Sequence, residues 1–121
     1  MSRTHDVMLV ILVLCVAVLS TALRAHAADV EQGKQLYGQY CATCHGQSGK
    51  GDGPGAAALN PKPRDHTDKE YMSKLSDDDI FNVVKNGGAS VGKSPLMPPW
   101  GATLKDDQIK DVVAYVRTLS K

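Results

Sequence analysis

Neither sign of charge dominates this sequence: its 121 residues carry 14 Lys and Arg against 13 Asp and Glu. The balance provides no basic patch on the scale that nucleic-acid binding needs, which argues against DNA or RNA as a partner. Aromatic residues are scarce at 5%, yet 42% hydrophobic with 22% charged composition suits one small folded domain. It does not suit a disordered, collagenous or multi-span membrane chain. Cysteine is scarce too, at three in the whole chain.

The longest apolar stretch runs from Val7 to Leu19, thirteen residues, and is followed by Ala25-His26-Ala27, a small-x-small cleavage site. That order reads as a secretory signal peptide over residues 1–27. Thirteen residues are short for a bilayer span of about 20 residues. Counting on to Leu23 gives seventeen uncharged residues, and with them the alternative of an uncleaved anchor. Arg3 and Asp6 cancel, so the flanking charge specifies orientation weakly. Leu12-Val13-Leu14-Cys15 does not make a lipoprotein signal, because Leu14 stands where a small residue is wanted.

Cleavage after Ala27 leaves a domain of 94 residues at 28–121, with twelve basic and twelve acidic side chains. Cys15 leaves with the signal, so only Cys41 and Cys44 remain. A domain this small buries too little surface to be comfortably stable alone and calls for a disulfide, a metal or a large apolar cofactor. An oxidising compartment would suggest a disulfide first.

The histidine next to the second cysteine changes that expectation. Cys41-Ala42-Thr43-Cys44-His45 is C-x-x-C-H, the attachment signature of c-type haem. Positions i and i+3 of a helix lie on nearly one face, so two thiols there can add to the two vinyl groups of one porphyrin edge. His45 then falls under the iron, where an imidazole is a strong axial ligand. A thioredoxin-like pair would begin a helix after a strand, whereas this motif ends a helical stretch. Zinc would need two further ligands, and His66 is the one other histidine after residue 27, with no further cysteine. A plain Cys41–Cys44 disulfide stays open on spacing alone but leaves His45 unexplained.

For the second axial position the sequence offers Met97, Met72 and His66. Met97 is favoured because Ser94-Pro95-Leu96-Met97-Pro98-Pro99-Trp100 holds three prolines, which stiffen the loop and let a weak thioether be presented with little entropy to lose. Met72 beside Tyr71 reads as core filler. His66 in its polar, Pro-rich stretch reads as a solvated loop histidine.

Taken together, Cys41-Ala42-Thr43-Cys44-His45, Gly51-Asp52-Gly53-Pro54 and Met97-Pro98-Pro99-Trp100 ahead of a helix with Val113-Ala114-Tyr115-Val116 resemble a class I c-type cytochrome of the bacterial single-haem type. The resemblance spans residues 28–121. It implies an all-α, small cytochrome c fold of three to five helices around one covalently attached haem c. Cys41 and Cys44 would form the thioethers, and His45 and Met97 would be the axial iron ligands. It further implies a non-enzymatic, exported, periplasmic electron-transfer protein, monomeric and in transient contact with membrane-bound or periplasmic oxidoreductases. The alternatives are a c-haem gas-binding sensor and a haem subunit of a larger oxidoreductase. In such proteins the first and last helices cross, here with Gly33 and Tyr37 facing Val112 and Tyr115. The Pro54 carbonyl would accept the second ring N–H of His45, and Trp100 and Arg64 would lie near the haem propionates.

Periodicity supplies the elements. Asp29 to Tyr40 reads as an amphipathic helix capped by Asp29, and the Gly-rich 46–55 segment as loop. Asn60 to Asp65 reads as an extended connection, and a helix capped by Ser76 stops at Asn86-Gly87-Gly88. A similar helix start at Leu104-Lys105-Asp106 opens the C-terminal helix, with Ile109, Val112, Val113, Val116 and Leu119 on one face.

Overall fold

The computed structural model describes residues 3, 5–8 and 26–121. Most of the apolar run expected to be an export signal lies outside these residues. Residues 26–121 form five α-helices, α1 Val30–Tyr40, α2 Ala42–His45, α3 Lys69–Met72, α4 Asp77–Asn86 and α5 Asp106–Leu119, with three short 3-10 turns between them. No strand occurs among the described residues, and none of their helices is long and apolar enough to cross a membrane. The all-α architecture expected from the sequence is the one observed.

Each long helix begins where its side chains can satisfy the free N–H groups of a first turn. The Asp29 carboxylate accepts from the amides of Glu31 at 3.0 Å and Gln32 at 3.1 Å. Ser76 and Asp79 cap α4 reciprocally: the Asp79 amide donates to Ser76 Oγ at 3.1 Å, and the Ser76 amide donates to Asp79 Oδ2 at 2.8 Å. The α5 start differs, because Lys105 has no capping oxygen and it is Gln108 Oε1 that accepts from the Lys105 amide at 3.0 Å. The α4 and α5 starts therefore share the side chain that accepts from the cap amide, while the reciprocal bond to a capping oxygen belongs to α4.

Helices α1 and α5 cross at Gly33. A methyl group built there would meet the Asp111 carbonyl oxygen at 1.9 Å and Tyr115 Cβ at 3.1 Å, so only glycine allows the two backbones this close. The neighbour in closest approach is thus Asp111, one position before the expected Val112. One turn along, Tyr37 meets Tyr115 edge to face with centroids 5.2 Å apart. The Asp111 carboxylate is buried at the crossing and accepts from the Asp29 amide at 2.8 Å, tying the start of α1 to α5.

The opposite flank of α5 is fastened by Arg117. Its Nε donates to Asp77 Oδ1 at 2.6 Å and its Nη1 to the Met72 carbonyl at 2.7 Å, while Nη2 donates to the Leu75 carbonyl. One guanidinium thereby joins the ends of α3, α4 and α5. Ile109, Val112, Val113 and Val116 fill the core with Ile80, Val84, Leu104 and Met72.

Two outcomes test this packing. Gly33→Ala should lower the unfolding free energy by about 1–3 kcal/mol through overpacking. Gly38→Ala in the same helix meets nothing within 4 Å and should raise it by roughly 0.5–1 kcal/mol, both read by urea unfolding. The second outcome concerns pH. Hydrogen bonds from the Ser76 amide and then its hydroxyl hold the Asp79 carboxyl below its ordinary value. A folded pKa below the unfolded one contributes stability above the unfolded pKa, and that contribution disappears as pH falls through the folded one. The stability gap between wild type and Asp79→Ala should therefore be full at neutral pH and close below about pH 4.

Candidate haem site

A cavity of about 660 Å³ lies between the helices, within the size range of cofactor pockets. Cys41, Cys44 and His45 line it from α2 and its N-cap, and Met97 lines it from the Pro-rich loop. Every site residue expected from the sequence therefore borders one cavity. Met72, Leu75, Ile80 and Val84 give it an apolar floor.

Local chemistry separates the readings of C-x-x-C-H. The two thiols are not joined to each other. Burial, with the neighbouring Cys44 adding to it, pushes the Cys41 thiol up to about 12. A buried neutral thiol is the reverse of the low-pKa nucleophile of a thioredoxin-like pair. Among the described residues no group of three or more His, Cys, Asp or Glu side chains could hold a metal ion, so the zinc reading finds no ligand set there. Two unpaired thiols three residues apart, an imidazole at the next position and an apolar cavity against all three are what a covalently held porphyrin requires. The residues fit haem c.

The His45 imidazole is oriented by its Nδ1, which lies 3.1 Å from the Arg64 carbonyl. Donation there leaves Nε2 as the nitrogen free to ligate. Burial holds the pKa of His45 below its ordinary value, which keeps the ring neutral. The acceptor is thus Arg64 and not Pro54. The reason is how the glycine loop folds: the Gly53 amide donates to the Cys44 carbonyl at 3.1 Å and the Gly55 amide to the Thr43 carbonyl at 2.8 Å, so Pro54 lies along the backbone of α2. Gly51, at φ +75°, meanwhile packs against the Pro63 carbonyl, where a Cβ would come within 2.5 Å. That close approach brings the Pro63-Arg64 segment over the motif.

His66 also departs from expectation. It is not a solvated loop histidine but a half-buried ring stacked on His45, with centroids 4.3 Å apart and planes 16° from parallel. Burial, reinforced by the neighbouring His45, pushes its pKa down to about 3. Stacked rings present their nitrogens side by side and leave no room for a porphyrin between them, which sets His66 apart from Met97 and Met72 as a candidate sixth ligand. Sequence reasoning missed this role. The available signal was a Pro-stiffened segment beside a run of glycines, a combination that permits close packing but does not name the partner.

Met97 is held through its backbone. The Gly88 amide donates to the Met97 carbonyl at 3.0 Å, the Met97 amide to the Ser94 carbonyl at 3.2 Å, and the Leu96 amide to the buried Ser94 hydroxyl at 3.2 Å. Met72 is almost wholly buried in the core, in keeping with a filler role. Trp100 lines the cavity and packs on Tyr40 at 5.1 Å, and the Arg64 guanidinium sits 3.6 Å over the ring of Tyr71.

Residues 28–116 match the family model described as cytochrome c oxidase, cbb3-type, subunit III. The chain is 32% identical over 101 residues to the cbb3-type cytochrome c oxidase subunit FixP of Azorhizobium caulinodans, covering 84% of this chain but 31% of that subunit. It therefore spans about a third of the length of that relative. It is also 32% identical over 111 residues to cytochrome c6 of a Synechococcus species, covering 90% of this chain and 88% of the relative. Among solved structures, the KustC0563 c-type cytochrome superposes with a TM-score of 0.58 at 33% identity, over 74% of this chain and 98% of the other.

The loop contact offers a direct test. A Cβ at Gly88 would lie 2.3 Å from the Ser94 carbonyl oxygen and 3.2 Å from Met97 Cβ. Gly88→Ala should destabilise the protein by about 1–3 kcal/mol in urea unfolding. It should also speed hydrogen exchange at the residue 88 amide, which in the wild type donates to Met97.

Proposed function

The chain belongs to the class I c-type cytochromes, and on that premise we propose that it is an exported, periplasmic monohaem electron carrier, not an enzyme, in which Cys41 and Cys44 hold the haem and His45 and Met97 ligate its iron. The observation that carries this reading is the one cavity bordered by all four side chains. When bound, haem c supplies an iron that takes up and gives back one electron, with His and Met ligation favouring a higher potential than two histidines.

The chain's own residues supply the rest. Cys41 and Cys44 would hold the porphyrin by one edge, and the Arg64 carbonyl fixes the His45 tautomer. The loop that carries Met97 is braced by Gly88 and Ser94, so its thioether could serve as a weak ligand with little ordering left to do. Val91 and Leu96 line the same cavity and are exposed at 48% and 60%, and Lys62 and Lys93 line it too. An apolar rim with a few cations suits brief docking of redox proteins. The even charge of residues 28–121 directs that docking to local contacts, not to a strong overall field.

The match to a cbb3-type oxidase subunit favours a second reading, a haem domain working within a larger oxidoreductase. Stable co-purification with a membrane oxidase would select it over a free carrier.

The first measurement is the ferric visible spectrum of the mature protein. The weak long-wavelength band of methionine sulfur on iron should be present in wild type and lost in Met97→Ala. Carbon monoxide affinity of the ferrous form should be low in wild type and rise in the variant. A wild type that is high-spin, or that lacks the band, would instead select the gas-binding reading.

A further inference from the structure

We propose that His66 is a positioning residue for the His45 imidazole: its ring, stacked on His45 and anchored to Tyr37, fixes the plane in which the ligand faces iron. The inference rests on the proposed role of His45 as the axial ligand. His45 is restrained at one edge by the Arg64 carbonyl, 3.1 Å from Nδ1, which limits in-plane motion but leaves the ring free to tilt about that contact. The parallel face of His66, 4.3 Å away, removes the tilt.

A stacking partner positions a ring only if it is itself fixed, and His66 is fixed at three points. Its amide donates to the Gly49 carbonyl at 2.6 Å. Its ring lies edge to face with Tyr37, with centroids 5.9 Å apart and planes at 63°. Its Nδ1 is 3.3 Å from Tyr37 Oη, and that same hydroxyl donates to the Gly46 carbonyl at 3.2 Å. The hydroxyl has one proton, so the arrangement that satisfies both contacts is Nδ1–H of His66 donating to Tyr37 Oη and Tyr37 donating onward to Gly46. Tyr37 is 1% exposed and lodged at the α1 and α5 crossing. The orientation of the ligand ring is thereby referred, through two side chains, to the close crossing of α1 and α5.

The test compares His66→Phe, His66→Leu and His66→Ala in the haem-loaded protein, reading the ferric low-spin EPR g values and the reduction potential. Phe keeps a flat stacking face, Leu keeps bulk without one, and Ala keeps neither. The expected result is a wild-type g pattern in His66→Phe and a shifted, broadened one in His66→Leu and His66→Ala. The potential should fall in His66→Ala, since water entering beside His45 favours the more highly charged ferric state. Wild-type g values in all three variants, or equal shifts in all three, would overturn the stacking role. If His66→Ala does not mature, the contrast between Phe and Leu decides alone, because a mere space-filler would tolerate both equally. A wild type without the low-spin methionine signature overturns the ligand assignment and this inference with it. A wild type that has the signature but whose variants are unchanged overturns this inference only.

Discussion

The close approach of α1 to α5 at Gly33 sets the frame for everything built around the cavity. Because no Cβ intervenes, the α1 backbone lies against the carbonyl of Asp111, and Tyr37 one turn later is driven into the interior against Tyr115. The same helix runs on to Cys41, so the crossing fixes where α1 delivers the first thiol. With an ordinary side chain at position 33 the helices would separate by roughly the thickness of a methyl group. Tyr37 would then lose Tyr115 on one side and the Gly46 carbonyl and His66 on the other. A packing constraint between two helices is in this way also a constraint on where Tyr37 and the stacked His45 and His66 rings sit.

A domain of this size cannot close such a cavity with its own side chains. Its buried apolar residues line up along one face of α5 and the inner faces of α1 and α4, leaving the space between α2, α4 and the Met97 loop to something else. What holds the periphery in place is polar. Arg117 donates to the carbonyls of Met72, the last residue of α3, and of Leu75 just beyond it, and reaches the first turn of α4. Lys85 does the same between α4 and α5, meeting Asp106 at 2.8 Å. Exposed ion pairs contribute little energy singly. Here their value is geometric, since they fix the ends of elements whose middles are joined by the apolar core.

Much of this was legible in the sequence, for reasons that differ by residue. Helices α1, α4 and α5 combine strong apolar periodicity with a recognisable start, and each begins within one residue of its expected cap. The C-x-x-C-H motif was legible because its chemistry is local: spacing alone puts both thiols and the imidazole together. The short α3 carries no periodic signal, being one turn held from outside by Arg117. The acceptor for His45 was not legible either. Choosing between Pro54 and Arg64 depends on how a run of glycines folds, and glycine restricts that least of all residues. For His66 a polar neighbourhood in sequence suggested solvent, whereas the rings that bury it, those of His45 and Tyr37, come from distant parts of the chain.

The two sides of the candidate iron site are held by different means, and the difference matches what each ligand needs. An imidazole is a strong ligand whose orientation tunes the centre, so His45 is controlled through its ring, at one edge by a carbonyl and over one face by His66. A thioether is weak, flexible and without a hydrogen to direct it. Met97 is held by its backbone instead, through the Gly88 amide, the Ser94 carbonyl and the flanking prolines. Gly87 and Gly88 are what permit this: at φ +84° the first turns the chain out of α4, and the second lets the loop lie directly on it. With His45 and Met97 in the ligand roles proposed above, a strong ligand held by its ring and a weak one held by its main chain would favour an iron whose coordination stays the same when its charge changes. That constancy keeps the reorganisation between oxidation states small, which is the physical requirement for passing single electrons quickly.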